Sequence, residues 1–141
     1  MSQPAIMTTY RWTTDYAVGV HQIDEEHRRL FVLAEEMHQA LLQGKGVAVL
    51  GQLLDSLVEY TRYHFAQEEQ LMQRLRYPGY ARHRQQHEAL TANVLALQGR
   101  AASGEVTMTI EAMQFLIAWL KHHTIASDRQ IGDYIMQTGA S

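Results

Sequence analysis

The sequence contains no cysteine among its 141 residues. Disulfides, thiolate zinc sites and cysteine nucleophiles are therefore excluded. The sequence also lacks a long hydrophobic run, because its most apolar stretch, Met113 to Leu120, is far shorter than the ~20 residues of a membrane-spanning helix. The N-terminal residues show no basic region followed by an apolar run, so we expect no signal peptide.

The chain has little net charge and no excess of basic residues, since its formal charge is -3. This balance argues against binding to nucleic acid and against a polybasic contact with a membrane. With no long apolar run either, we expect a cytoplasmic protein without membrane insertion. The residues are 46% hydrophobic and 19% charged, which is typical of a globular protein. At this length we expect a single domain over residues 1–141.

Apolar residues recur every three or four positions in four segments, which predicts four long helices. The predicted helices span about 20–42, 47–74, 80–100 and 107–134. No segment shows a convincing strand pattern, and the connections are short, so consecutive helices should run antiparallel. The sequence therefore predicts an all-α protein, an up-down-up-down four-helix bundle with a non-helical arm over about residues 1–19.

Eight histidines are an unusual number for this length, and five of them lie on the apolar faces of the predicted helices. His64 with Glu68, and His83 with His87, are spaced by four, which places both members of each pair on one helix face, one turn apart. A bundle core receives all four apolar faces, so five imidazoles and one carboxylate should converge there. These residues are His27, His64, Glu68, His83, His87 and His123.

A single histidine on an apolar face is usually a hydrogen-bonded core residue. Five in one core would leave many ring nitrogens unsatisfied, at ~1–3 kcal/mol each, and metal ions remove that cost. Ligation by nitrogen and carboxylate without sulfur suits iron, manganese, zinc or copper. Five histidines with carboxylates are too many ligands for one ion and natural for two.

Four stretches resemble, in order, the successive motifs of the hemerythrins. They read VGVHQIDEEHRRLF, HFAQEEQLM, HRQQHEAL and WLKHHTIASD. The W…YAVGV lead near the N-terminus is similar to the bacterial branch of that family. The resemblance extends from about Trp12 to Tyr134, and the motifs keep compatible separations. Together they are specific to the family, although His-x-x-x-Glu alone would be weak evidence.

The resemblance implies a centre of two iron ions. One iron would take His83, His87 and His123, and the other would take His27 and His64. The bridges would be Glu68, Asp128 and one oxo or hydroxo group. Helical periodicity does not select Asp128, because five residues after His123 is about 140° further round an α-helix. We therefore expect the helix to be distorted or capped near Ile125 to Ser127, or the carboxylate to reach back around it.

The same resemblance implies reversible binding of dioxygen, because this ligand set leaves one position open on the iron with two histidines. We expect a non-enzymatic carrier, store or delivery protein for O2, with no catalytic residue. A dry pocket is needed for reversibility, and its candidate walls are Trp119, Leu120 and Leu30.

Two other functions remain open at this point. The first is a di-iron oxidase, peroxidase or nitric-oxide-handling protein on the same scaffold. The second is an O2 sensor or delivery module that docks on a partner, such as an enzyme that consumes O2. We expect a monomer, because the sequence shows no additional apolar face.

The histidines in the site need acceptors for their outer ring nitrogens. Glu69, Asp24 and Glu88 are candidates, although solvation at the surface is the favoured interpretation for each. Among the remaining histidines, we expect His21 and His38 to be partly exposed.

Overall fold

The computed structural model describes residues 12–45, 47–102, 114–115 and 118–139. Most of the predicted arm and the predicted start of the fourth helix lie outside these residues. Three long helices precede the fourth, and they are α1 (His21–Leu42), α2 (Val47–Arg74) and α3 (Tyr80–Ala101). The all-α bundle is confirmed, and the described part of the chain contains no strand.

The fourth helix, α4, is continuous over its described part but changes its winding. Residues 118–123 are α-helical, Thr124–Asp128 form a π-helical turn, and Arg129–Thr138 are again α-helical. The helix therefore extends past the predicted end at residue 134. It stops at Gly139, whose φ of 71° is left-handed and is tolerated best by glycine.

The described part of the N-terminal arm contains one short 3-10 turn, Thr14–Tyr16, in a segment that we predicted to be non-helical. Several contacts hold the arm to the bundle, of which two lie at the start and in the middle of α1. The Asp24 carboxylate accepts hydrogen bonds from the amides of Val18 (2.8 Å) and Gly19 (3.3 Å). The Tyr16 ring packs on Phe31, with 4.9 Å between ring centroids. Asp24 therefore fixes the start of α1 and is not an acceptor for a site histidine.

The buried apolar side chains form two clusters. On α1, Ile23 belongs to one cluster and Leu30 to the other, and on α4 the corresponding residues are Ile131 and Leu120. The polar residues of the predicted site lie between these positions along the sequence. The fold thus holds a polar layer between two apolar ones, and both apolar layers keep water away from it.

The arm approaches α4 so closely at Gly132 that a side chain cannot fit. A Cβ atom at Gly132 would lie 1.7 Å from the backbone oxygen of Val18. We predict that Gly132→Ala displaces the arm and lowers the free energy of unfolding by about 2 kcal/mol, as overpacking does. Urea denaturation measures the change.

Gly51→Ala and Gly99→Ala are the matched controls, because both glycines are helical and a Cβ at either position meets nothing within 4 Å. These two variants should be stabilised by up to about 1 kcal/mol. If all three variants responded alike, the close approach at Gly132 would not be the cause.

Candidate metal centre

The structure brings together the seven side chains that the sequence indicated. Each is 4% exposed or less. They form two overlapping groups whose ligating atoms lie within 4.8 Å of one another. The first group is His83, His87 and His123 with Glu68 and Asp128, and the second is His27 and His64 with the same two carboxylates.

The three imidazoles of the first group point their Nε2 atoms at one another. The Nε2 atom of His123 lies 3.0 Å from that of His83 and 3.1 Å from that of His87. Two ligands on bonds of about 2.1 Å to one ion are separated by roughly 3.0 to 3.4 Å, depending on the coordination angle. The spacing therefore suits ligation of one metal ion by these three nitrogens.

In the second group the imidazoles approach the carboxylates. The Nε2 atom of His27 lies 2.9 Å from Asp128 Oδ2 and 3.5 Å from Glu68 Oε2. The Nε2 atom of His64 lies 3.0 Å from Glu68 Oε2. This group therefore offers two nitrogens where the first group offers three.

Each carboxylate divides its two oxygens between the groups. Glu68 turns Oε1 toward His83 and His87, both at 3.2 Å, and Oε2 toward the second group. Asp128 turns Oδ1 toward His83 and His123, both at 3.0 Å, and Oδ2 toward His27. Two carboxylates oriented in this way can bridge two metal ions.

Several nitrogen and oxygen atoms of the cluster lie close to one another but are not aligned for a hydrogen bond. Within the described chain, the buried atoms His27 Nε2, His64 Nε2, Glu68 Oε2 and Asp128 Oδ1 make no hydrogen bond. Buried polar atoms are rarely left in this state, since each costs ~1–3 kcal/mol. Their lone pairs converge on shared points, which is the arrangement that a cation would satisfy.

The π-helical turn explains how Asp128 reaches the cluster. In this turn the amide of Arg129 donates to the carbonyl of Thr124, five residues earlier, and π-turns of this kind are frequent at functional sites. The wider turn removes the rotation that would carry Asp128 away from His123. Of the alternatives that we considered, the structure shows a distorted helix.

Two histidines donate their outer ring nitrogens to carboxylates. His64 Nδ1–H donates to Glu26 Oε1 at 2.6 Å, and His87 Nδ1–H donates to Glu69 Oε2 at 2.9 Å. A carboxylate can only accept here, so the neutral form of each imidazole carries its proton on Nδ1 and leaves Nε2 free as a ligand.

Sequence reasoning was wrong about Glu69, which is only 26% exposed and holds His87, and it missed Glu26. The signal for Glu26 was available, since it lies three residues after Ile23 and four before Leu30 on the apolar face of α1. The interpretation of Glu88 as a surface residue agrees with its exposed ion pair with Arg84.

His38 is 4% exposed, so our expectation of partial exposure was wrong. His21 is exposed. Both residues stand outside the two groups described above.

Of the three predicted pocket residues, one is shown in contact with the cluster. Leu30 and Leu120 are buried. The half-buried Trp119 ring stacks on His123, with 4.2 Å between centroids and 15° between planes. Phe65, which we did not predict, stacks on His87 at 3.8 Å and 4°. Aromatic rings therefore cover two imidazoles of the three-histidine group.

The buried histidines and carboxylates shift one another's pKa. Burial lowers the pKa of His64, but the carboxylates of Glu68 and Glu26 outweigh it and raise this pKa to about 10. Burial likewise lowers the pKa of His83, but Asp128 and Glu68 raise it to about 9. Burial raises the pKa of Glu68, but His64 and its neighbours hold it well below its usual range. Without metal, the cluster therefore binds protons where cations would otherwise bind.

No helix in the described ranges is long and apolar enough to cross a membrane.

Comparison with known proteins identifies relatives of this arrangement. The family model of the hemerythrin HHE cation binding domain matches residues 18–133. The chain is 33% identical over 124 residues to bacteriohemerythrin of Stenotrophomonas maltophilia, covering 88% of this chain and 80% of the relative. It is 29% identical over 129 residues to bacteriohemerythrin of Methylococcus capsulatus, covering 91% and 95%.

A solved structure of wild-type hemerythrin has the same fold. It matches with a TM-score of 0.79 and 28% identity, over 86% of this chain and 94% of that one. The fold, the matched residues and the relatives agree, and the chain belongs to the hemerythrin family.

Proposed function

We propose that this protein holds two iron ions at the cluster and binds dioxygen reversibly, as a carrier, store or delivery protein. One iron is assigned His83, His87 and His123, and the other His27 and His64. The proposed bridges are Glu68, Asp128 and one oxo or hydroxo group. The observation that carries the proposal is the division of the carboxylates, since each turns one oxygen toward each histidine group.

The unequal number of nitrogens supports dioxygen binding. The group with two histidines offers one ligand fewer than the group with three, so an open coordination position is expected there. A pair of irons, when bound, supplies the redox chemistry and the open position that reversible dioxygen binding requires. Two relatives of the chain are bacteriohemerythrins, which agrees with this assignment.

The environment of the cluster favours binding over catalysis. Leu30 on α1 and Leu120 on α4 belong to the apolar layer on one side of the site and exclude water from it. The carboxylates next to the cluster are already engaged, since Glu26 accepts from His64 and Glu69 accepts from His87. We therefore assign neither of them as a general acid, and we propose a non-enzymatic protein.

We place this function in the cytoplasm and in a monomer. Its ligand is dioxygen, and the candidate partner is an enzyme that consumes it. Size-exclusion chromatography of the iron-loaded protein with light scattering should give the mass of one chain, 16.2 kDa, and a dimer mass would contradict this part of the proposal.

Repeated oxygenation of the iron-loaded, reduced protein tests the proposed function. We expect an optical spectrum that changes on addition of O2 and returns on deoxygenation, through several cycles. Irreversible oxidation in the first cycle, with turnover of an added reductant, peroxide or nitric oxide, would instead support the alternative of a di-iron enzyme.

A further inference from the structure

Glu26 is held in one position by contacts to both of its carboxylate oxygens. It is 6% exposed. Its Oε1 accepts from His64 Nδ1 at 2.6 Å, and its Oε2 accepts from Gln22 Nε2 at 3.2 Å. The same Gln22 amide donates to Gln67 Oε1 at 3.0 Å, which ties α1 to α2. Glu26 is thus a fixed, buried anion directly behind one imidazole of the cluster.

The other histidine of the same group has no such support. His27 Nδ1 is buried and makes no hydrogen bond to any residue that the structure describes. In the three-histidine group, the acceptor behind His87 is Glu69, whose side chain is 26% exposed and whose hydrogen bond is longer, at 2.9 Å. Among the described residues, the shortest carboxylate–histidine contact therefore serves the group with fewer nitrogens.

We propose that Glu26 is a positioning residue that selectively sets the affinity of the two-histidine position for its metal ion. This inference rests on the proposed two-metal centre and assigns to one of its two metal positions a residue that sets the affinity there. A carboxylate behind a histidine fixes the ring orientation, and it makes the opposite nitrogen a stronger ligand. Short hydrogen bonds to an ionised acceptor are also the strong ones. The two-histidine position has only two nitrogen ligands. Weakening one of them therefore removes a larger share of the metal affinity than the same change would remove at the three-histidine position.

Zinc titration tests this selectivity without dependence on dioxygen or iron. Glu26→Gln keeps the size of the side chain and an acceptor oxygen but removes the negative charge. We expect it to weaken the binding of one of the two zinc ions by about 10- to 100-fold and to leave the other unchanged. Glu69→Gln, the matched control, removes the same charge behind His87 and should leave the two-histidine position unchanged. Equal weakening of both zinc ions by Glu26→Gln, or no weakening, would overturn the inference.

Proton NMR of the imidazole N–H groups in the zinc-loaded protein separates positioning from a general structural role. In the wild type the His64 Nδ1–H proton, in a short bond to a carboxylate, should resonate far downfield and exchange slowly with solvent. Glu26→Gln should move this resonance upfield and leave that of His87 in place, and Glu69→Gln should do the reverse. An unchanged His64 resonance in Glu26→Gln would overturn the inference.

Failure of the proposed function gives a different result. If zinc binding and the His64 resonance respond as expected while the iron-loaded protein does not bind dioxygen reversibly, the role of Glu26 stands and the O2 assignment fails.

Discussion

Glu68→Ala is expected to reduce the metal content of the protein from two ions per chain to one or none. Glu68 is the one α2 side chain that presents an oxygen to each histidine group, Oε1 to His83 and His87 and Oε2 to His64. Its loss removes a ligand from both proposed metal positions and one of the two bridges between them. We therefore also expect the variant to lose the optical change on oxygenation. Elemental analysis after iron loading and desalting measures the effect.

Glu59→Ala is the control for this prediction, because Glu59 lies on the same helix but is exposed. It should retain two irons per chain and the wild-type spectrum. Circular dichroism of the metal-free Glu68→Ala protein shows whether the bundle still forms. A folded variant that retained two irons and bound dioxygen normally would contradict the bridging role of Glu68.

Removal of the metal is expected to lower the thermal stability of the protein substantially. A ligand that binds only the folded state stabilises it by about 4 kcal/mol when present at a thousand times its dissociation constant. For a chain of this size that corresponds to a fall in melting temperature of about 14 °C on chelation. Calorimetry before and after chelation and dialysis measures the change. A metal-free protein as stable as the loaded one would show that the cluster does not bind metal in the folded state.

The stability of the metal-free protein should also fall as the pH rises. The pKa of His64 is raised to about 10 and that of His83 to about 9, against about 6.5 in the unfolded chain. A raised pKa contributes stability that is complete below pH 6.5 and is lost as the pH rises toward 9–10. Each unit of difference corresponds to about 1.4 kcal/mol.

The loaded protein should not follow this trend, because metal binds the neutral imidazoles and competes with the protons. The difference in melting temperature between loaded and metal-free protein is therefore expected to widen from pH 6.5 to pH 9. Melting curves of both forms at matched ionic strength provide the test. A gap that narrowed over this range would contradict the assignment of His64 and His83 to a shared metal and proton site.

The helical pattern of the sequence was sufficient to predict the bundle and most of the cluster. His64 with Glu68 and His83 with His87 are spaced by four on apolar faces, and local periodicity alone brings such pairs to the core. The prediction of Asp128 required more than periodicity, because the position of this residue depends on the π-helical turn Thr124–Asp128. A local change in winding is not encoded in a regular pattern of apolar residues, and here the family resemblance supplied what periodicity could not.

The acidic residues around the cluster show the limit of the same reasoning. Glu26 lies on the apolar face of α1, so the pattern could indicate its burial, whereas Glu69 adjoins a site residue at a position that is ordinarily solvated. The partners of both lie on a neighbouring helix, since Glu26 of α1 meets His64 of α2 and Glu69 of α2 meets His87 of α3. A single helix pattern contains no information about those partners. His38 was misjudged for the same reason, because its burial depends on how the helices pack.

Locating iron directly is the most decisive test of the two-metal centre. Crystals of the iron-loaded protein, measured at the iron absorption edge, should give two anomalous peaks per chain. One peak is expected among the Nε2 atoms of His83, His87 and His123, and the other beside the Nε2 atoms of His27 and His64, with Glu68 and Asp128 in contact with both. A single peak, or two peaks of which either lies away from these nitrogens, would contradict the account.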